Sequence, residues 1–252
     1  MLSPYADLST DKWLSKTKEL IELHPLKLNV IKDIALLSWG TLWLTKIGEG
    51  DTAIRLEEIE VPATVVGYFF EKLFAKELQS RFPTEWRGGQ SKDEKDIVCI
   101  NHPFYSIEMK TSGQLGVKIF GNRSYGQKAE DESLVSKVEK SGYYITANFY
   151  GKTLTLLRFG WIDASDWKPQ KSATGQAASL SNDVYKYKLI EIPGDYRLSA
   201  PIGLLNGIGV KAVKEFAEES VVTIYDLLNY QGSNKRIHRF REIAKDQIYK
   251  FT

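Results

Sequence analysis

The chain has 252 residues, of which 42% are apolar and 26% charged, a composition typical of a folded globular protein and not of a disordered or collagen-like one. Thirty-four basic and thirty-two acidic side chains leave a formal net charge of +2, so any affinity for nucleic acid must come from local clusters of charge. One cysteine and three histidines exclude an internal disulfide framework, argue against zinc and favour a reducing cytosol, and no run of about 18 apolar residues predicts a membrane span.

The first sixty residues are predicted to be a helical unit, 1–60. Apolar residues recur at helical spacing over 11–23 and 26–45, and Gly48-Glu-Gly-Asp51 then breaks the pattern. A third helix is predicted over 62–81, starting at Pro62. Its apolar stripe consists of Val65, Val66, Phe69, Phe70, Leu73 and Phe74.

From Trp86 onward the periodicity becomes that of strands. The predicted strands are 96–100, 104–111, 142–150, 153–161 and 185–192. The first two are expected to form a hairpin across Asn101-His-Pro, and the next two across Gly151-Lys152. Residues 164–183 are predicted to be a loop. The order of elements predicts an α/β fold with a central mixed sheet flanked by helices, and a core unit spanning 61–195.

The C-terminal unit, 196–252, has a different pattern and a basic tail. The stretch Leu204-Leu-Asn-Gly-Ile-Gly-Val-Lys-Ala-Val-Lys-Glu-Phe216 resembles a helix-hairpin-helix, with Gly207 and Gly209 in the hairpin and Lys211 in the first turn of the second helix. Glycines let the main chain approach phosphate closely, and amides at a helix N-terminus bind anions. These three residues are therefore candidate DNA contacts. The alternative is a helix that ends at Gly207 and restarts without any role in DNA binding.

Two carboxylates and a lysine form the candidate catalytic set. Asp96 opens one predicted strand, and Glu108 and Lys110 lie two positions apart on the next, so their side chains share a face. Asp96, Glu108 and the Met109 carbonyl could hold Mg²⁺, which prefers oxygen ligands and keeps several waters. Lys110 could orient or deprotonate the attacking water, and the reaction is then phosphodiester hydrolysis. The alternative is a strand-start aspartate and an exposed polar edge.

The preceding helix offers a further carboxylate. The order helix, glycine-rich loop, Asp96, Glu108-x-Lys110 resembles that of a PD-(D/E)xK nuclease core, and the resemblance implies that the helix supplies another acidic residue. Glu71 and Glu77 both lie beside the buried row of that helix, and Glu71 is the favoured candidate. An ordinary surface carboxylate is the alternative for both.

A polar segment follows Lys110 and contains no acidic residue from 111 to 128. Arginine can read guanine with two hydrogen bonds and Asn or Gln can read adenine, whereas Ser, Lys and main-chain amides bind phosphates. Since the segment leaves the candidate catalytic strand, it is expected to run near the scissile phosphate; the alternative is a polar surface loop. The predicted DNA contacts are Gln114, Lys118, Asn122, Arg123, Ser124, Tyr125, Gln127 and Lys128.

Over about residues 1–192 the chain resembles the ScaI-like type II restriction endonucleases. The matching stretches are Ser3-Pro-Tyr-Ala, Glu85-Trp-Arg-Gly, Lys95-Asp-Ile-Val, Ser106-Ile-Glu-Met-Lys-Thr-Ser112, Ile119-Phe-Gly-Asn-Arg-Ser-Tyr-Gly-Gln127, Lys140-Ser-Gly-Tyr-Tyr144, Arg158-Phe-Gly-Trp161 and Ala173-Thr-Gly-Gln-Ala177. The resemblance implies a prokaryotic, cytoplasmic, Mg²⁺-dependent endonuclease that cuts duplex DNA at a short site, with Asp96, Glu108 and Lys110 at the motif positions. The proline that often precedes the aspartate in the wider superfamily is Lys95 here.

Two other functions stay open. One is a repair or recombination nuclease that acts on DNA structure, which the hairpin favours, and the other is a non-catalytic DNA-binding protein, which the intact acidic and lysine set argues against. A restriction enzyme cuts two strands related by a local two-fold axis, so a homodimer on a palindromic site is expected. A candidate interface, with burial against the core as the alternative, consists of Trp13, Leu36, Leu37, Trp39, Leu42, Trp43 and Leu44.

Overall fold

A computed structural model describes residues 2–122, 140–169 and 177–249 of the chain. Within these ranges the α-helices are α1 (Thr10–Leu23), α2 (Leu28–Leu44), α3 (Ala63–Arg81), α4 (Val210–Ala217), α5 (Ile224–Asn229) and α6 (Lys235–Tyr249). The three helices predicted for the first third of the chain are confirmed, with their ends shifted by at most two residues. Over the described ranges, none of the helices is long and apolar enough to cross a membrane.

Helix α3 shows how sequence spacing decides which side chains are buried. It begins directly after Pro62, whose restricted φ suits a helix start. Val66, Phe70 and Phe74 recur every fourth residue and are buried in the main core. Val65 and Phe69, predicted to belong to the same stripe, are 38% and 39% exposed, because each lies about 100° around the helix from its buried neighbour.

Most strands belong to one sheet. The strands of the described ranges are β1 (Lys46–Ile47), β2 (Ile54–Arg55), β3 (Trp86–Gly88), β4 (Ile97–Cys99), β5 (Ile107–Ser112), β6 (Phe120–Asn122), β7 (Gly142–Tyr150), β8 (Thr153–Ile162), β9 (Lys168–Pro169), β10 (Ala177–Ser179) and β11 (Leu189–Glu191). Six of them form a central sheet in the order β11-β8-β7-β5-β4-β3. Only β5 and β7 are parallel neighbours within it. This mixed sheet, with helices against it, confirms the predicted α/β class.

The two faces of the central sheet carry different side chains, because successive strand residues point to opposite sides. Met109 and Ile145 lie in the main hydrophobic core together with buried residues of α1, α2 and α3. On the opposite face, the pairing register aligns Lys110 with Thr146 and Thr146 with Arg158. A polar row therefore crosses β5, β7 and β8 on the face opposite Met109 and Ile145.

Both predicted hairpins occur, one of them in altered form. Strands β7 and β8 are antiparallel and meet at Gly151, whose φ of +55° suits a tight turn. Strands β4 and β5 are also antiparallel, but a 3-10 turn at Pro103–Tyr105 separates them, so β5 begins at Ile107 and not at residue 104. The 3-10 turn therefore shortens β5 at its start, while β4 and β5 keep their antiparallel pairing at Ile97 and Ile107.

Two predicted segments differ from the structure. The predicted loop at 164–183 contains β9 and β10, and β10 pairs with β6. The predicted strand at 185–192 begins as a π-helical turn, Val184–Lys188, and only Leu189–Glu191 is extended. The turn lets Lys188 reach a buried site, where its Nζ forms ion pairs of 2.8 Å with Oδ2 of Asp163 and with Oδ2 of Asp166.

A second hydrophobic cluster lies within the C-terminal region. Ile202, Phe216, Leu227 and Ile237 are almost completely buried in it, at the contacts among α4, α5, α6 and the turn before them. The region thus has an apolar core of its own. The division of the chain at 60 and 195 stays a prediction.

Candidate active site

The carboxylates predicted to bind metal lie where β4 and β5 separate. Ile97 pairs with Ile107, so the antiparallel register places Asp96 opposite Glu108. Asp96 Oδ2 accepts a 2.8 Å hydrogen bond from the Met109 main-chain N–H, which fixes this carboxylate beside β5. The structure therefore brings Asp96, Glu108 and Met109 together.

Lys110 belongs to the same cluster. Its Nζ donates to Glu108 Oε1 at 2.6 Å and to the Met109 carbonyl oxygen at 3.1 Å. The side chains of Lys110 and Glu108 are only 16% and 9% exposed, so water screens their ion pair weakly. The ammonium is thus held beside two of the oxygens predicted to bind metal.

Crowded carboxylates determine the electrostatics of this cluster. Burial, together with the negative charge of Glu108, raises the pKa of Asp96 from 3.8 to about 7. Burial lowers the pKa of Lys110, but the charges of Glu108 and Asp96 outweigh it, and the net pKa is raised. Lys110 is therefore protonated at neutral pH, and a further cation would favour the ionised form of both carboxylates.

Helix α3 places a third carboxylate in the cleft next to this cluster. A Cβ at Gly67 would lie 2.1 Å from Thr111 Oγ1, so α3 approaches β5 at a distance that suits glycine. Glu71, one turn further along α3, lines the same cleft as Lys110, and its charge also raises the pKa of Asp96. The Glu71 carboxylate forms an ion pair with Lys72, with 2.7 Å between Oε1 and Nζ.

The alternative carboxylate of α3 lies elsewhere. Glu77 accepts a 2.7 Å ion pair from Arg81 Nε, one turn along the helix, and does not line the cleft. Of the two candidates, Glu71 is the one beside Asp96. The packing role of Gly67 was not predicted, although an isolated glycine inside a helical pattern is a signal for close packing.

A cleft of about 480 Å³ lies between α3 and β5, next to the Lys110 end of the cluster. Tyr68, Glu71, Lys110 and Gln114 are among the residues that line it. Tyr68 is 58% exposed, and no role was predicted for it from the sequence. The cleft is open to solvent at Glu71 and Lys110.

The donor set fits a small hard cation. Two carboxylates and a main-chain carbonyl supply oxygen ligands, and Mg²⁺ usually completes such a set with water. In the parts of the chain that the structure describes, no three His, Cys, Asp or Glu side chains form a group that could enclose a metal ion. The oxygen donors of Asp96, Glu108 and Met109 fit Mg²⁺ that keeps part of its coordination for water.

The predicted DNA-reading segment is described only in part. Gln114 is exposed in the cleft, and Lys118 is exposed while its carbonyl accepts a 2.9 Å hydrogen bond from Asn148. Asn122 ends β6, paired with Ala177. Lying outside the described residues are the Asn122 side chain and Arg123, Ser124, Tyr125, Gln127 and Lys128. Their contacts with DNA stay predictions.

The predicted hairpin of the C-terminal unit follows a 3-10 turn, Ile202–Leu204, and not an α-helix. Gly207 has a φ of +90°, and Gly209 precedes α4 with no heavy atom within 4 Å of the position a Cβ would take. Lys211, in the first turn of α4, is exposed. The main chain at Gly209 is therefore accessible, and DNA contacts by Gly207, Gly209 and Lys211 stay predictions.

The predicted N-terminal interface is only partly exposed. Trp39 and Leu42 are 7% and 1% exposed and belong to the main core, because they face the sheet and α3. Leu36, Leu37 and Leu44 are 37%, 47% and 62% exposed. The outer face of α2, and not the whole helix, is thus the surface open to a partner.

Comparison with known proteins gives the family. A family model described as ScaI restriction endonuclease matches residues 3–193. The type II restriction enzyme ScaI of Streptomyces caespitosus is 34% identical over 201 residues, which cover 75% of this chain and 84% of that enzyme. A solved restriction endonuclease in complex with substrate DNA aligns with 81% of this chain and 97% of its own, at 12% identity and a TM-score of 0.39. On the family match and the sequence identity, the chain belongs to the ScaI family of type II restriction endonucleases.

Proposed function

We propose that this chain is a Mg²⁺-dependent endonuclease that hydrolyses one phosphodiester bond in each strand of duplex DNA at a short palindromic site. One observation carries the proposal: Asp96, Glu108 and Lys110 converge at adjacent strand ends in a member of a restriction endonuclease family. The open cleft beside them supports a substrate as large as a DNA strand.

Each residue of the cluster has a proposed role. Asp96, Glu108 and the Met109 carbonyl hold Mg²⁺, which when bound supplies a Lewis acid beside the phosphate. Lys110, protonated because of its carboxylate neighbours, donates a hydrogen bond that orients the attacking water and offsets negative charge on the phosphate. Glu71, held by Lys72, adds a carboxylate at the side of the cleft.

DNA binding is proposed to use two surfaces with different tasks. The segment from Gln114 to Lys128, which leaves β5 beside Lys110, reads bases through Asn122, Arg123 and Gln127 and binds phosphates through Lys118, Ser124, Tyr125 and Lys128. Gly207, Gly209 and Lys211 bind phosphate and add affinity without reading sequence. A homodimer places one catalytic cluster at each strand.

Digestion of a defined phage DNA in Mg²⁺ tests the proposal. Discrete fragments are the expected result, and Asp96→Asn is expected to abolish them while the variant still shifts the same DNA on a gel in Ca²⁺. A smear, or a preference for branched DNA, would indicate a repair nuclease instead. Intact DNA would indicate a binding protein and would overturn the proposal.

A further inference from the structure

Two buried polar side chains hold the main chain of consecutive residues beyond the cleft. Arg158 Nη2 donates to the Val117 carbonyl at 2.9 Å, and Asn148 Nδ2 donates to the Lys118 carbonyl at 2.9 Å. Arg158 Nη1 also donates to Asn148 Oδ1 at 3.1 Å, which links the two. Both side chains project from the sheet strands β8 and β7.

A tyrosine holds the next residue of the same stretch. The Tyr185 hydroxyl accepts a 2.9 Å hydrogen bond from the Ile119 N–H and donates one of 3.1 Å to the Ile119 carbonyl. The Tyr185 ring also lies 5.3 Å from the Arg158 guanidinium. Three side chains distant in sequence thus fix four main-chain groups of residues 117–119.

This arrangement is costly if it serves only to fill space. Arg158 is 2% exposed and Asn148 is fully buried, and burial lowers the pKa of Arg158. Within the described structure Arg158 makes hydrogen bonds to an amide and a carbonyl but no ion pair, and a buried unpaired charge is unfavourable. An apolar residue would suit β8 better, since most of that strand is apolar.

The stretch that is held connects two parts of the proposed DNA-binding surface. It follows Gln114, which lines the cleft, and precedes β6, after which the chain continues to Arg123. Arg158 also lies in the cross-strand row Lys110, Thr146, Arg158. The same sheet therefore holds both the candidate catalytic lysine and residues 117–119 of the predicted reading segment.

We propose that Asn148, Arg158 and Tyr185 are positioning residues for sequence discrimination. They fix the main chain of residues 117–119 relative to β5, and the preference of the enzyme for its site depends on that placement. This inference rests on the proposed function, because it requires a sequence-specific nuclease.

Tyr185→Phe tests the inference, because it removes one hydroxyl and keeps the ring beside Arg158. Tyr196→Phe is a matched control: the Tyr196 hydroxyl accepts from the Leu157 N–H at 2.9 Å and donates to the Ile192 carbonyl at 2.7 Å, so it supports β8 next to Arg158 without a hydrogen bond to residues 117–119. For each protein, kcat/KM is measured on a duplex carrying the mapped cleavage site and on duplexes that differ from it by one base pair. Hydrogen exchange at the Ile119 amide and Tm are measured alongside.

Tyr185→Phe is expected to reduce the ratio of kcat/KM values about tenfold and to speed exchange at Ile119. Tyr196→Phe should leave both unchanged while lowering Tm by a similar amount. An unchanged ratio in Tyr185→Phe, or an equal fall in both variants, would overturn the inference and leave the proposed function intact. A wild-type enzyme that yields no discrete fragments would overturn both.

Discussion

Glu108 and Lys110 form an ion pair at 2.6 Å on one face of β5, and the ammonium also contacts the Met109 carbonyl that lies between them. Lys110→Met removes the donor proposed to orient water and keeps the aliphatic stem. We expect single-turnover cleavage in Mg²⁺ to fall at least about 10²-fold, as removal of a positioned proton donor usually does. Binding of the same duplex, measured by gel shift in Ca²⁺, should change little.

Lys16→Met is the matched control, since Lys16 forms an exposed ion pair with Glu19 on α1 at 2.9 Å. Exposed pairs of this kind contribute little, so its cleavage rate should equal that of the wild type. If Lys110→Met cleaved DNA at the wild-type rate, Lys110 would no longer belong to the catalytic set.

The contact between α3 and β5 gives a second prediction. Gly67→Ala would place a Cβ 2.1 Å from Thr111 Oγ1, so we expect a loss of about 1–3 kcal/mol in the free energy of unfolding and a lower cleavage rate, because Glu71 moves with the helix. Gly40→Ala, in α2, adds a Cβ that meets no heavy atom within 4 Å, so it should be neutral or stabilise the fold by about 1 kcal/mol. Urea denaturation measures both.

A double variant separates this steric effect from others. Thr111→Ala removes the atom nearest the added Cβ, so Gly67→Ala should cost less in its presence than in the wild-type background. Equal costs in the two backgrounds would show that this contact does not position α3.

Features encoded by neighbouring residues could be predicted, and those that depend on distant partners could not. The four-residue spacing of Val66, Phe70 and Phe74 predicts α3, and the turn at Gly151 predicts the β7–β8 hairpin. Strand alternation likewise places Glu108 beside Lys110. These relations need no knowledge of the rest of the chain.

The missed features all depend on long-range contacts. Lys188 lies in a π-helical turn because its ammonium donates hydrogen bonds to Asp163 and Asp166. These partners lie 25 and 22 positions earlier in the chain. The small residues of β10 have little strand propensity and are extended because β6 lies beside them. In the site, the missed feature is the close packing of α3 on β5 at Gly67 and Thr111, one helical turn before Glu71.

A buried histidine predicts how stability depends on pH. His24 is completely buried, its ring nitrogens contact the main chain of Leu26 and Tyr105, and burial lowers its pKa from 6.5 to about 4. Between these values the unfolded chain binds a proton that the folded chain does not, so stability falls as the pH drops from 6.5 towards 4. The full effect is about 3 kcal/mol.

Urea denaturation at pH 7.5 and pH 5 measures this effect. His24→Gln is expected to be less stable at pH 7.5, because the aromatic packing of the ring is removed, but to lose less further stability on acidification than the wild type. An equal loss in both proteins would show that other groups cause the pH dependence.

The accessible main chain at Gly209 allows a test of whether the C-terminal hairpin binds DNA phosphate. Because no atom lies within 4 Å of the Cβ position, Gly209→Val should fold, while its branched side chain would keep phosphate from the main chain. Binding to all DNA sequences should weaken alike, and the slope of log K against log salt should become shallower by about 0.9 for each phosphate that the variant no longer binds. An unchanged slope in the folded variant would remove Gly209 from the DNA-binding surface.

The last prediction concerns assembly. One Asp96, Glu108 and Lys110 cluster serves one strand, so concerted cleavage of a duplex needs two clusters related by two-fold symmetry. The outer face of α2 presents Leu37 and Leu44, which are 47% and 62% exposed and available to an apolar interface. We therefore expect sedimentation to find a dimer on DNA in the wild type, and Leu37→Glu combined with Leu44→Glu to weaken it.

With supercoiled plasmid as substrate, the wild type should give linear DNA with little nicked intermediate, because both strands are cut in one encounter. The double variant should accumulate nicked circles, since a monomer cuts one strand and dissociates. Leu23→Glu is the control, because Leu23 is equally exposed at 62% but ends α1. Nicked circles from Leu23→Glu alone would move the interface to α1, and a wild type that stays monomeric on DNA and only nicks would contradict the dimer.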